Sequence, residues 1–197
     1  MGKIIPIEAY GSLILRKEGE DIDKNYPGLD ELIENMFETM YQASGVGLAA
    51  PQVGKAIRLF IIDASPFAEP DDEGKVDEKA KGLEDFKEVF INAEIIEEDG
   101  ELWAFEEGCL SIPEIREDVY REPRIRMTYY DQDWNFQDKV YDGFAARIIQ
   151  HEYDHIDGIL FTDHLKPLKK RLLQRKLKDI SKGIVDIKYR MRFPNKK

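Results

Sequence analysis

Gly143-Phe144-Ala145-Ala146-Arg147-Ile148-Ile149-Gln150-His151-Glu152-Tyr153-Asp154-His155-Ile156 is the stretch from which the rest of the chain is read. It holds no Pro and no internal Gly, and its pattern suits an α-helix. On that helix His151 and His155 fall one turn apart on one face, with Glu152 beside the first. Two imidazoles so placed converge on one point, where an ion with an open position can bind water and a neighbouring carboxylate can handle the proton. The competing reading is a pair of surface histidines on a solvated helix.

A single-ion site needs a third donor. The zinc-peptidase extension His-Glu-x-x-His-x-x-Gly-x-x-His has Gly158 in place, but its last position is Phe161, which cannot ligate, and His164 comes three residues too late. The best remaining donor is Cys109, in Glu106-Glu107-Gly108-Cys109-Leu110-Ser111-Ile112-Pro113, where Pro113 is expected to end the element. A thiolate with two imidazoles leaves a fourth position for water and favours Fe(II), Zn(II) or Ni(II) over Mg or Ca. Cys109 is the chain's one cysteine, so no intramolecular disulfide forms, and a lone thiol suits a reducing compartment. Taken alone, such a cysteine is more often a small buried core residue.

Outward from the motif, a further helix is expected over about Thr162–Lys182, with Leu165, Leu168, Leu172, Leu173, Leu177 and Ile180 on one stripe and Gly183 as its stop. The tail Ile184–Phe193 reads as a short final strand. Towards the N-terminus, strands are expected at 88–97, 102–106, 119–130 and 137–142, with Ile57 to Ile62 as a buried strand. Before them, Pro27 to Ala43 carries Leu29, Leu32, Ile33, Met36, Phe37, Met40 and Tyr41 at helical spacing, an amphipathic helix whose apolar face is core. Residues 64–88 break every period and hold nine acids and four bases, as a surface insertion would. They are expected to form either a solvated loop or a flank of a cleft. The expected fold is α+β: antiparallel or mixed β-sheets packed around a central metal-binding His-Glu-x-x-His helix, with a long N-terminal helix and a C-terminal helix, in one domain over 1–197.

The formal net charge of −11 conceals a split. Residues 166–197 carry 13 Lys/Arg against two acids, a net +11, whereas residues 1–165 carry 16 basic and 38 acidic residues, a net −22. An acidic body with a basic end suggests a polyanionic partner for that end; the plain alternative is a solvated Lys-rich helix face. No apolar run approaches the roughly 18 residues of a membrane span, and the N-terminus reaches Pro6 and Glu8 before any secretory core could form. A cytoplasmic protein with no membrane and no DNA partner is the expectation.

Three segments together resemble the peptide deformylases: Gly45-Val46-Gly47-Leu48-Ala49-Ala50-Pro51-Gln52, Glu107-Gly108-Cys109-Leu110-Ser111 and Gln150-His151-Glu152-Tyr153-Asp154-His155. Their order and spacing match, and the similarity spans most of residues 4–165. The resemblance implies removal of the formyl group from N-formylmethionine of nascent chains, with Fe(II) as the typical metal and zinc or nickel able to occupy the site. It makes Cys109, His151 and His155 the ligands and Glu152 the acid/base. Gln52 and the backbone N–H of Leu110 would face the oxyanion, although Gln52 alone would read as a loop-capping amide. Gly47 would offer its backbone to the peptide, and Val46, Phe144 and Ile148 are the candidates for the methionine slot. Arg147 lies on the same face, either paired with an acid such as Glu107 or rimming the pocket. The basic 166–197 region would then be suited to ribosomal RNA. Two rivals remain: a general metallopeptidase, which needs neither Cys109 nor Gln52, and a non-catalytic ribosome-associated protein, which has no need of Glu152.

Overall fold

The computed structural model describes residues 2–69, 77, 80 and 82–195. Its centre is a five-stranded antiparallel sheet with order β2-β3-β4-β7-β8, where β2 is Gly47–Ala49, β3 Leu59–Asp63, β4 Lys87–Asp99, β7 Arg124–Tyr130 and β8 Phe136–Asp142. Strand β3 shows why this sheet is buried on both sides. Side chains alternate across a strand, so Leu59 and Ile61 meet the helix α1 (Leu29–Gln42), while Phe60 and Ile62 meet α2 (Gly143–Ile156). A continuous apolar run therefore marks this strand rather than an alternating one. In β7, by contrast, Ile125, Met127 and Tyr129 are buried and the residues between them are not, as the alternation predicts.

Helix α1 follows its expected bounds to within two residues. Leu29, Leu32, Ile33, Met36 and Met40 are buried, but Tyr41 turns outward and donates its hydroxyl to Asp63 Oδ2 at 2.6 Å. Helix α2 has the bounds read from the sequence, and Ala145, Ala146, Ile149 and Ile156 pack into the core beneath the sheet.

A separate hairpin, β5 (Trp103–Cys109) with β6 (Ile112–Arg121), brings Cys109 to α2. Cys109 pairs with Ile112 across the two-residue turn Leu110-Ser111. Two expectations fail here. Pro113 does not end an element: it is the second residue of β6, whose charged run 114–118 concealed a strand. The expected single strand 119–130 is two strands in different sheets, interrupted at Glu122-Pro123, since a proline has no N–H to extend the ladder.

The C-terminal helix also departs from expectation. Phe161–His164 forms a separate 3-10 turn, and α3 runs Pro167–Ser181 with its proline in the first turn, where the missing N–H costs nothing. The leucine stripe splits. Leu165, Leu177 and Ile180 pack with Leu160, Phe161, Ile115 and Val119, whereas Leu168 and Leu172 are 71% and 69% exposed. The tail strand shrinks to β9 (Met191–Arg192), which pairs in parallel with β1 (Ile7–Glu8). Within the expected insertion, Ser65–Ala68 is a 3-10 turn, and Ala80 and Leu83 are buried in the core with Phe67 and Phe86 packed beside them. Its ends are thus part of the packing rather than solvated loop, and its stretch 70–76, with 78, 79 and 81, lies outside the described residues. Among the described residues no helix is long and apolar enough to cross a membrane.

Candidate metal centre

Three elements meet at one cleft of about 990 Å³: the β5–β6 turn, the face of α2, and the segment that runs through β2 into the 3-10 turn Ala50–Val53. The donor atoms of Cys109, His151 and His155 all lie within 4.8 Å of one another. Cys109 Sγ is 3.3 Å from His155 Nε2. His151 turns its Nδ1 to Glu107 Oε2 at 2.9 Å, which leaves Nε2 as the nitrogen on the Cys109 side.

The local electrostatics favour the charged forms of Cys109 and His151, and an ion bound through His151 Nε2 would displace that imidazole's proton. Burial would raise the Cys109 thiol, but the imidazoles of His155 and His151 pull it down to about 5. Burial likewise opposes a charge on His151, yet Cys109 and Glu107 hold its pKa well above the ordinary value. Glu152 is 4% exposed, and burial pushes its carboxyl up to about 7; its Oε2 has no hydrogen-bond partner among the described residues. The donor set (one thiolate, two imidazoles, and a buried carboxyl with an unpartnered oxygen beside them) has the composition of an open site for a borderline-soft divalent ion.

Gln52 is buried and pinned. Its Oε1 accepts from Ala49 N at 2.8 Å, so its Nε2 faces the hairpin turn, 3.5 Å from Cys109 Sγ and 3.3 Å from Ser111 Oγ. The loop-capping contact and an amide turned to the cleft are thus two ends of one side chain. Gly47 is required by packing: a Cβ there would come within 2.4 Å of Glu152 Oε1. Val46, Gly47, Leu110 and Ile148 line the cleft. Phe144, expected at the methionine slot, does not; it lies behind the cleft wall, in an aromatic cluster with Phe67, Trp103 and Phe105 at centroid distances of 5.2, 6.0 and 5.3 Å. Phe67 and Phe105 line the cleft in its place, one from the insertion and one from β5.

Beneath the site lies a buried polar tie, of which the sequence offered only the Arg147–Glu107 pair as one of two alternatives. Glu107, which orients His151, accepts Arg121 Nε and a second guanidinium nitrogen at 2.8 and 3.0 Å, and Arg147 at 3.0 Å. Arg121 also reaches Asp154 of α2 at 2.8 Å, and Asp154 in turn accepts His164 at 2.7 Å. Burial would raise Glu107, but His151 and Arg121 hold it well below the usual carboxylate range. Arg147, whose place was open, is 2% exposed: it pairs with Glu107, donates to the carbonyls of Val119 and Trp103, and lies 4.5 Å over the Trp103 ring. Two guanidiniums balance two carboxylates, which is what makes such charges tolerable away from water. The helical phase of Arg147 pointed to its pair with Glu107, whereas Arg121 carried no signal.

The polypeptide deformylase family model matches residues 4–171. A peptide deformylase of Christiangramia forsetii is 60% identical over 194 residues, covering 98% of both chains, and one of Flavobacterium johnsoniae is 55% identical over 96% of both. Among solved structures, the peptide deformylase of Thermotoga maritima superposes with a TM-score of 0.70 at 37% identity, over 83% of this chain and 99% of that one.

Proposed function

The chain belongs to the polypeptide deformylase family and removes the N-terminal formyl group from nascent peptides, and we propose that Cys109, His151 and His155 hold its metal while Glu152 serves as the acid/base. The observation that supports this most is the convergence of those three donors at the cleft, with Glu152 and Gln52 beside them. The soft thiolate donor suits Fe(II), the ion we assign, with Zn(II) or Ni(II) able to use the same donors. When bound, such an ion supplies a Lewis acid and a water acidified towards neutral pH.

The chain's own residues do the rest. Glu152 takes the proton of the attacking water and returns it to the leaving amine nitrogen as the C–N bond of the formyl group breaks. Gln52 Nε2 and the N–H of Leu110 face the oxyanion that develops on the formyl carbon, and donors of this kind are worth roughly 2.7–4 kcal/mol each. Pinning Gln52 through Ala49 means its amide need not reorganise during the reaction. Val46 and Ile148 form the apolar slot for methionine, with Phe67 and Phe105 in the position first given to Phe144, and the backbone of Gly47 pairs with the peptide in strand fashion.

Residues 1–197 act in this reading as one catalytic domain in the cytoplasm. The exposed cations of the C-terminal region, among them Lys166 ahead of α3 and Arg171, Arg175 and Lys176 on it, are assigned to ribosomal RNA. Pelleting with ribosomes at low salt and release at high salt is the expected behaviour; pelleting unaffected by salt and by removal of 166–197 would rule this docking out. The metallopeptidase alternative is not favoured, since it accounts for neither Cys109 nor Gln52 at the cleft. To test the activity, anaerobically purified protein is given a formyl-methionyl peptide and an unformylated peptide of the same sequence. Formate from the first and no internal cleavage of either is expected, and the reverse pattern would restore the metallopeptidase.

A further inference from the structure

The segment matched by the family model stops at residue 171, yet the cleft does not. After α3 the chain turns back, and Asp186, Ile187, Lys188 and Tyr189 line the same cleft as Cys109 and Glu152. This return is held along its length. The N–H of Asp186 donates to Glu114 Oε1 at 3.3 Å, which ties it to β6. Ile7 N donates to Arg190 O and Ala9 N to Arg192 O, both at 2.9 Å. Arg192 pairs with the buried Glu8 at 2.7 Å, and the N–H of Asn195 donates to Ser181 O at 3.0 Å.

From this anchored segment the Tyr189 hydroxyl donates to the carbonyl oxygen of Leu110 at 2.7 Å. Leu110 is the first residue of the turn between Cys109 and Ile112, and its two peptide groups have separate uses: the N–H is the one assigned to the oxyanion above, and the carbonyl takes an outside donor. A two-residue turn has few internal restraints, so a hydrogen bond to one peptide limits the rotation of the other. The Leu110 side chain of the turn packs closely on Gly45, where a Cβ would come within 2.7 Å of Leu110 Cδ1. The turn therefore meets a glycine that admits it and a tyrosine that holds it.

We propose that Tyr189 is a positioning residue for deformylation: the segment that leads into β9, docked on β1, uses the Tyr189 hydroxyl to hold the Cys109-Leu110-Ser111 turn in the orientation that points the Leu110 N–H at the oxyanion. The proposal rests on the reading of Leu110 given above and extends the working site to a segment beyond the matched family region. It also gives the β1–β9 pairing a use, because that pairing sets the height of Tyr189 over the cleft.

Tyr189→Phe keeps the ring and removes only the hydroxyl. Losing a complete oxyanion donor costs about 10²–10³ in kcat, so loosening one predicts a fall in kcat of about tenfold. KM for a formyl-methionyl peptide should stay within about twofold, since ground-state binding does not use this donor. Metal content should equal that of the wild type. Amide hydrogen exchange of residues 109–111 should quicken in the variant while the rest of the chain is unchanged. An unchanged kcat overturns the proposal, as does a loss confined to KM or one accounted for by lost metal. Wild-type protein that releases no formate at all would instead remove the deformylase reading itself, a result distinguishable because it precedes any comparison with the variant.

Discussion

Helices α2 and α3 are of nearly equal length and both carry an apolar stripe, but they are held in the fold by different means. Most of α2 is buried: it lies beneath a sheet, carries His151, Glu152 and His155, and is joined to the β5–β6 hairpin through Asp154–Arg121–Glu107 and Arg147–Glu107. In α3, Leu177, Ile180 and Ser181 are buried, and the face bearing Leu168 and Leu172 stays in contact with solvent. A stripe states which residues could face a partner. Whether a partner surface is there depends on strands far away in sequence. In α2 the buried charges are those that must be matched; in α3 most charges are exposed, with Lys169 tied to Glu117 of β6 at 2.6 Å.

The largest effect should come from the chemistry on α2. Glu152→Ala is expected to lower kcat by about 10²–10⁴, the range of a lost general acid/base, with metal retained. Elemental analysis beside formate kinetics checks both halves, and metal loss would show that Glu152 contributes to the ion's retention instead. Next is the tie beneath it. Arg121→Met leaves Glu107 and Asp154 short of a counter-charge, and removing one partner of a buried pair costs about 3–5 kcal/mol. Urea unfolding measures this, and a cost below 1 kcal/mol would show that water reaches the pair.

On α3 the anchor and the free face should separate. Leu177→Ala is expected to cost about 2–3 kcal/mol, as a buried leucine does. Leu168→Ser and Leu172→Ser should each change stability by no more than about 0.5 kcal/mol. If the exposed pair cost as much as Leu177, the two helices would not differ in the way described. The smallest effect concerns the half-exposed pair Arg16–Asp163 ahead of α3. Burial would raise the Asp163 carboxyl, but Arg16 and the Leu160 N–H hold it below its ordinary value. A depressed carboxyl contributes stability above the unfolded pKa near 3.9 and loses it as pH falls through the folded value. Asp163→Asn should therefore cost under about 1 kcal/mol at neutral pH and less at pH 2, as thermal melts at the two pH values would show.

The same contrast explains what could be read before the fold was known. His151, Glu152 and His155 were legible because one helix turn makes them neighbours. Cys109 followed from the need for a third donor, and Gln52 from its motif. Strand β6 was hidden because Glu114, Arg116, Glu117 and Asp118 look like a surface loop, whereas in the structure they alternate with Ile115 and Val119, which are buried. Arg121 was silent for a related reason: a single arginine before Pro123 gives no hint of two carboxylates, 14 residues back for Glu107 and 33 ahead for Asp154. Phe144 was misplaced since helical phase gives a direction but no depth, and Phe67 and Phe105 intervene. Tyr189 lay past a helix and carried no motif, and the tertiary pairing of β9 with β1 is what brings it to the cleft.

The central claim is that one ion sits on Cys109, His151 and His155 at the face of α2. Elemental analysis of anaerobically purified wild-type protein and of Cys109→Ala, each paired with formate release, tests it most directly. The account predicts one divalent ion per chain and formate release in the wild type, with both strongly reduced in the variant. A Cys109→Ala protein that keeps a full ion and its activity would contradict it.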